Sequence, residues 1–398
     1  MADSIVILGA SRTPVGAFQG GLAGLTAPQL GATAIRSALD AIGVTNDRLP
    51  APYALEVLMG CVLQAGLGQA PARQAAHGAA LPREVGASTI NKVCGSGMKS
   101  AMLGHDMIRA GGAQLVIAGG MESMSNAPYL LARARSGYRA GHDRLLDHIY
   151  LDGLEDAYEP GRLMGVFADE MASSLGFSRA DQDTYAAESL RRAQAAVETP
   201  AFTKRMAPVA TDSAGQAVTI TRDELPQRLK PERIASLKPV FGSNGTITAA
   251  TASGLADGAA AVVLSSADEA RRMGAAPLAR VMGHASHAQE PSAFTTAPVG
   301  AVRRLLDLLA WRVADVDLFE INEAFAMVPM ALMAELGVSH NRLNIHGGAC
   351  ALGHPIGASG ARILVDLLHD LIESGGRRGV ASLCIGGGEA TAIAVERL

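Results

Sequence analysis

The chain has 398 residues, 48% apolar and 18% charged, with 45 glycines and a net charge of −4. That length accommodates two or three domains around an extensive α/β interior. The mild acidity offers no footprint for nucleic acid or an anionic membrane. Four cysteines, Cys61, Cys94, Cys350 and Cys384, are too few for a disulfide framework and lack Cys-x-x-Cys spacing. His284 and His287 have no third ligand near them in sequence, so no metal is expected.

Taken in chain order, Ile5–Leu8 reads as a first strand rather than the apolar core of a leader. Further strands are predicted at Glu56–Cys61, Leu115–Ala118, Ala259–Leu264, Leu318–Ile321, Leu343–Ile345 and Val380–Ile385, with helical patterns between them. Ile363, Leu364, Leu367, Leu368, Leu371 and Ile372 show i, i+3, i+4 spacing, and Gly375-Gly376 ends that helix. The alternation predicts an α/β fold with mostly parallel strands. No apolar run reaches the ~18 residues of a membrane span, and Glu396-Arg397-Leu398 is not a peroxisomal address. A cytoplasmic setting is expected, and its reducing conditions suit a free thiol.

One order of features occurs twice. Cys94, Gly97, a helix to Gly111-Gly112, the strand Leu115–Ala118 and Gly119-Gly120 are matched by His354, Gly360, a helix to Gly375-Gly376, the strand Val380–Cys384 and Gly386-Gly387-Gly388. A duplicated half would set Cys94 and His354 at equivalent helix N-termini. Between the copies, Glu122 to about Ala249 is richer in Arg, Asp, Glu, Tyr and Pro and reads as an inserted segment. Within it Arg228, Lys230, Arg233 and Lys238 stand among Pro226, Pro231 and Pro239, a basic group able to meet a phosphate-bearing ligand.

The reactive groups follow the same logic. In Asn91-Lys92-Val93-Cys94-Gly95-Ser96-Gly97 a thiol stands at a helix N-terminus, where the macrodipole and free N–H groups favour thiolate. Asn322-Glu323, His354 and Cys384 each end an apolar run beside glycine or alanine. His354 is positioned by type to take the Cys94 proton, giving a thiolate–imidazolium pair that attacks an activated carbonyl. Cys384 is then free to move a proton at carbon. Asn322 can orient a water at an oxyanion, and the N–H groups of Cys94 and Gly386 can stabilise another. Two thiols suit carbon–carbon bond chemistry of thioesters better than hydrolysis, which has no use for the second.

These motifs, with Ser11-Arg12-Thr13-Pro14-Val15-Gly16, Gly119-Gly120-Met121-Glu122-Ser123-Met124-Ser125 and Gly353-His354-Pro355-Ile356-Gly357-Ala358-Ser359-Gly360, span nearly the whole chain. In that order the sequence resembles the thiolases. The resemblance implies a duplicated βαβαβαββ core, two similar domains layered α-β-α-β-α, with an inserted loop domain. It places the core domains at 1–121 with 250–276 and at 277–398, and the loop domain at 122–249. It implies condensation of two acetyl-CoA to acetoacetyl-CoA and CoA, and the reverse thiolysis, with no further cofactor and a homotetramer or dimer as the assembly. Cys94 becomes the acylated nucleophile, Cys384 the second acid/base, His354 the base and an oxyanion donor, Asn322 the holder of the oxyanion water, and Gly386 an oxyanion N–H. A coenzyme A tunnel would be lined by Leu154, Met164, Phe241, Ala249, Ser253, Ala324 and Phe325. Arg228 falls beside the position used for the nucleotide phosphate, one residue out of register.

The sequence departs from the family pattern at Leu163, where many biosynthetic members carry histidine, and at His346, where asparagine is common. Competing readings are a degradative 3-ketoacyl-CoA thiolase, a non-catalytic acyl-CoA or lipid binder, and a serine hydrolase. For the hydrolase, Gly357-Ala358-Ser359-Gly360-Ala361 misses the nucleophile-elbow pattern by one glycine.

Overall fold

The structure, a computed structural model, describes residues 4–43, 48–213 and 216–398. Residues 1–3 and 44–47 of the expected first core domain and 214–215 of the expected inserted domain lie outside the described residues.

Ten strands among the described residues form one sheet. Its order runs Gly86–Ile90, Leu55–Gly60, Leu115–Ser123, Ala256–Ser266 and Ile5–Arg12, then Ala279–Ala288, Glu389–Arg397, Arg378–Ile385 and Leu318–Ile321, with the short strand Gly16–Ala17 beside Ala256–Ser266. The two halves mirror each other. Leu55–Gly60 pairs parallel with Leu115–Ser123, as Leu318–Ile321 does with Arg378–Ile385. Antiparallel pairs follow on both sides. Among the described residues, the strands of the two halves pair where Val6 and Ile7 face Arg280 and Ala279.

Most pairings are therefore antiparallel, against the expectation of a mostly parallel sheet. One cause is local. Gly387 and Gly388 adopt φ +88° and +86°, a region open to glycine, and the turn folds Arg378–Ile385 straight back on Glu389–Arg397. The predicted strand at Leu343–Ile345 is also absent. Asn344 takes φ +48°, and its side chain bonds both the N–H and the C=O of Ile321 at 2.8 Å. An amide side chain thus replaces a strand's ladder there.

Five layers result. Ala27–Asp40 and Pro71–Gly78 cover the outer face of the first half through a cluster with Val57, Ile117 and Val263. Ala297–Leu309 and Met327–Leu336 cover the second through Phe319, Val380 and Ala392. Between the sheet halves lie the helices Ser96–Arg109 and Ile356–Ser374, packed with residues of both halves. The second of these is buried on nearly all sides. Its apolar stripe goes into the core, except that Ile372 faces outward, while Arg362, Asp366 and Asp370 are buried too.

Where these two helices cross, the equivalent glycines of the repeat meet. A Cβ on Gly97 would lie 2.8 Å from Ala361 N, and one on Gly360 would lie 2.5 Å from Met98 N. Only glycine lets the backbones approach so closely, and this contact brings both helix N-termini to one place. The segment between the halves supplies the helices Met164–Ser174 and Arg179–Val197 and two small hairpins, Tyr129–Leu130 with Leu146–Asp147 and Val209–Ser213 with Gln216–Ile220. No described helix is long and apolar enough to cross a membrane.

Candidate active site

Cys94 stands on a tight elbow. Asn91 Oδ1 accepts the Val93 N–H at 3.0 Å, and Ser96 Oγ accepts the Lys92 N–H at 2.8 Å while donating to the Val93 carbonyl at 2.7 Å. Val93 is forced to φ +45°, a strained conformation for a β-branched residue, costing on the order of 1–3 kcal/mol. The elbow aims Cys94 out of the start of Ser96–Arg109. Cys94 is the one free cysteine of the four that is not fully buried.

A cavity of about 210 Å³ opens there. His354 lines the same cavity as Cys94, and so does Gly386, just after the strand Arg378–Ile385. The remaining wall is almost wholly apolar, with Leu154, Leu163, Met164, Phe241, Ala324, Phe325 and Ile356. Of the residues expected along a coenzyme A tunnel, Leu154, Met164, Phe241, Ser253, Ala324 and Phe325 line this cavity. Ala249 and Arg228 do not. They line a neighbouring cavity of about 250 Å³ together with Lys230 and Arg233. Arg228 lies 3.3 Å from Glu224, the residue before the short helix Leu225–Arg228.

The histidine's tautomer follows from its neighbours. The Ser359 hydroxyl donates to the Pro355 carbonyl at 3.0 Å, so at 2.6 Å it accepts from His354 Nδ1–H. Nε2 therefore carries the lone pair, and it is buried without a partner. Burial, reinforced by the Arg362 charge, lowers the His354 pKa to about 3. Burial also raises the Cys94 thiol to about 11, overriding the opposing N–H groups of Gly386 and of Cys94 itself. Burial thus works against the expected thiolate–imidazolium pair before substrate arrives, because desolvation penalises either charge more than the helix terminus rewards the thiolate.

Cys384 is buried in the core rather than in the cavity wall. Burial and the proximity of Cys94 push its thiol well above the ordinary value. Asn322 is fully buried at the end of Leu318–Ile321. Its Oδ1 accepts from Arg362 at 3.2 Å and its Nδ2 has no partner. Glu323, flagged by its motif, is structural. It accepts from Tyr185, Ser189, Asn344 and the Cys350 N–H at 2.7–3.1 Å.

Other groups find different places from those their sequence suggested. His287 bonds Gln289, whereas His284 joins His105 at the shared Asp106 oxygen. His346 bonds Asp370 at 2.7 Å. Ser359 is fully buried and bonded twice, so it is no nucleophile.

Two contributors escaped the sequence reading. Ser359 was legible only as part of a hydrolase pattern, though its spacing five residues after His354 on a helix start was a usable signal. Glu122 is fully buried and accepts the N–H groups of Val62, Leu63 and Gly357 at 2.9–3.2 Å. It ties the loop behind the elbow to the helix that follows His354, and burial raises its pKa to about 7.

Comparison with known proteins gives one consistent answer. The N-terminal domain of thiolase matches residues 5–268 and the C-terminal domain of thiolase matches 275–397. An acetyl-CoA acetyltransferase of Pseudomonas aeruginosa is 46% identical over 397 residues, covering 99% of this chain and all of that one. One from Cupriavidus necator is 46% identical with 99% of each covered. Among solved structures, a thiolase of Ascaris suum in complex with coenzyme A superposes with TM-score 0.92 at 40% identity, covering 99% and 100% of the two chains. An acetyl-CoA acetyltransferase of Bacillus anthracis gives 0.95 at 36% identity, covering 100% and 99%.

Proposed function

The chain belongs to the thiolase family, and from that premise we propose that it condenses two acetyl-CoA to acetoacetyl-CoA and CoA, and runs the reverse thiolysis, through an acyl group on Cys94. The observation that carries this reading is one cavity lined by a strained-elbow thiol, a histidine with a free Nε2, and the Gly386 N–H beside the sulfur.

Cys94 Sγ attacks the thioester carbonyl as His354 Nε2 takes its proton. The proton passes to the leaving CoA sulfur, and acetyl-Cys94 remains. Cys384 passes its own proton to the now neutral His354, and the thiolate so formed takes a methyl proton from a second acetyl-CoA. The carbanion attacks the acetyl carbonyl, and as acetoacetyl-CoA forms and the C–S bond to Cys94 breaks, His354 returns the proton to the Cys94 sulfur. The N–H groups of Cys94 and Gly386 face the oxyanion on the acyl-cysteine. His354 and a water held by Asn322 Nδ2 face the thioester oxygen of the second substrate. Burial fits this sequence, since the charges are needed only when the carbonyl arrives to share them.

The pantetheine arm lies along Leu154, Met164, Phe241, Ser253, Ala324 and Phe325. The nucleotide phosphates reach the basic cavity of Arg228, Lys230 and Arg233 beside Ala249. We further propose the division into core domains 1–121 with 250–276 and 277–398 around the loop domain 122–249, a homotetramer, and a cytoplasmic setting. No additional cofactor is needed by this chemistry. A degradative thiolase for longer chains is the second reading, favoured by the apolar Leu163 in the cavity wall.

Mass analysis of the protein mixed with acetyl-CoA tests the first reading. One acetyl group on the peptide containing Cys94, absent in Cys94→Ser, is expected. Acetylation elsewhere, or none with the fold intact, would refute it. Rates across a series of 3-ketoacyl-CoA lengths decide between the two readings.

A further inference from the structure

Asn322 and Arg362 lie 40 residues apart in sequence and meet in the core at 3.2 Å. Arg362 is 1% exposed. One arm of its fork bonds Asp366 at 3.0 Å and lies 3.8 Å from Glu320, while the other bonds Asn322. Arginine has donors only, so the atom it holds must be the amide oxygen. That fixes the amide's orientation and leaves Nδ2–H as the free end.

Asp366, the carboxylate partner of Arg362, is held in turn. It accepts from Arg12 Nε at 2.8 Å and lies 3.4 Å from Arg205, while Arg12 forms a two-point pair with Asp223. The guanidinium therefore cannot swing away. It lies on the helix Ile356–Ser374, which begins two residues after His354.

We propose that Arg362 is a positioning residue for this site, orienting the Asn322 amide donor. The inference rests on the role given to Asn322 above. The charged groups facing the pair are Asp366 and Asp370 on its own helix, Glu320 on the neighbouring strand, Arg12 on the first strand and Arg205 from the inserted segment. Cys94 and His354 line one cavity, and Glu122 accepts the N–H of Gly357, three residues after His354.

Two substitutions test this. Arg362→Lys keeps the charge and loses the planar fork, and Arg362→Met loses both. In each, kcat should fall by about tenfold or more, further in Arg362→Met, with little change in KM for acetyl-CoA and a wild-type rate of Cys94 acylation, because the amide it orients serves the second half-reaction. Wild-type kcat in Arg362→Met, or an equal loss in the acylation of Cys94, would overturn the proposal. Should Arg362→Met fail to fold, Arg362→Lys decides, and wild-type kcat there overturns it. If His354→Ala acylates Cys94 at the wild-type rate, the underlying reading of the site fails. If His354 and Asn322 prove essential while both Arg362 variants behave as wild type, only this inference fails.

Discussion

At Cys94 burial and backbone donors pull in opposite directions, and burial wins. With the thiol held at about 11, the thiolate fraction at pH 7 is on the order of 10⁻⁴. Iodoacetamide should therefore inactivate slowly at pH 7, and the rate should climb about tenfold per pH unit up to pH 10. Acetyl-CoA should protect. A plateau below pH 8, or labelling of Cys61 or Cys350 instead, would contradict the effect of burial derived above. Cys384 permits a cleaner separation. Cys384→Ser should still accept acetyl on Cys94, because that half-reaction needs only Cys94 and His354, yet lose acetoacetyl-CoA synthesis and deuterium wash-in at the acetyl methyl. Measuring both on one preparation tests it, and full wash-in without Cys384 would remove the residue from the mechanism. Loss of Ser359 should act through tautomer choice. Ser359→Ala frees Nδ1–H and should slow acylation by about tenfold, seen as a fall in single-turnover rate with Cys94 still alkylatable.

At the scale of elements, small residues do the positioning. A Cβ on Gly60 would lie 2.6 Å from Ser96 C and 2.7 Å from Gly357 O, and one on Gly120 would lie 2.1 Å from Gly357 O. These neighbours are backbone and cannot yield, so Gly120→Ala should cost about 3 kcal/mol or more in urea unfolding. By contrast, Gly386→Ala meets nothing closer than Met164 Sδ at 3.5 Å. It should fold normally and keep its N–H donor, and a fall in stability as large as that of Gly120→Ala would show the close-approach reading to be wrong. The same smallness decides what could be read from sequence. The Ile356–Ser374 helix announced itself through large apolar residues at 3.6 spacing, and Cys94 and His354 through glycines at fixed offsets. Gly86–Ile90, Ala279–Ala288 and Glu389–Arg397 went unrecognised because short side chains, Gly, Ala and Ser, blur the alternation of a strand. Parallel and antiparallel pairing cannot be told apart from periodicity in buried strands. Arg362 and Glu122 stayed silent because their partners are distant in sequence, and only the fold brings them together.

Across the whole molecule, the strands of the two halves pair at two described residue pairs, so the central helices and the buried polar groups between them bear much of the connection. Arg12, Asp366, Arg362 and Glu320 cross that interface with their charges matched. Glu122 crosses it differently, as a single carboxylate on the first half that receives the Gly357 N–H of the second half's helix. No cation pairs with it among its described contacts, and its backbone donors do not fully offset the cost of burying the charge. It ionises near 4.5 when exposed and near 7 in the fold. Between those values the native protein retains a proton that the unfolded chain has released. The stability tied to that proton is present in full below pH 4.5 and lost as pH rises through 7, a span worth about 3 kcal/mol. Glu122→Gln cannot ionise, so its stability should fall less than that of the wild type between pH 5 and pH 8. Urea unfolding of both proteins at the two pH values measures this directly, since pH effects shared with other groups cancel in the comparison. Parallel pH dependences would mean that Glu122 is already ionised in the native state at pH 5 and that its three N–H donors outweigh its burial.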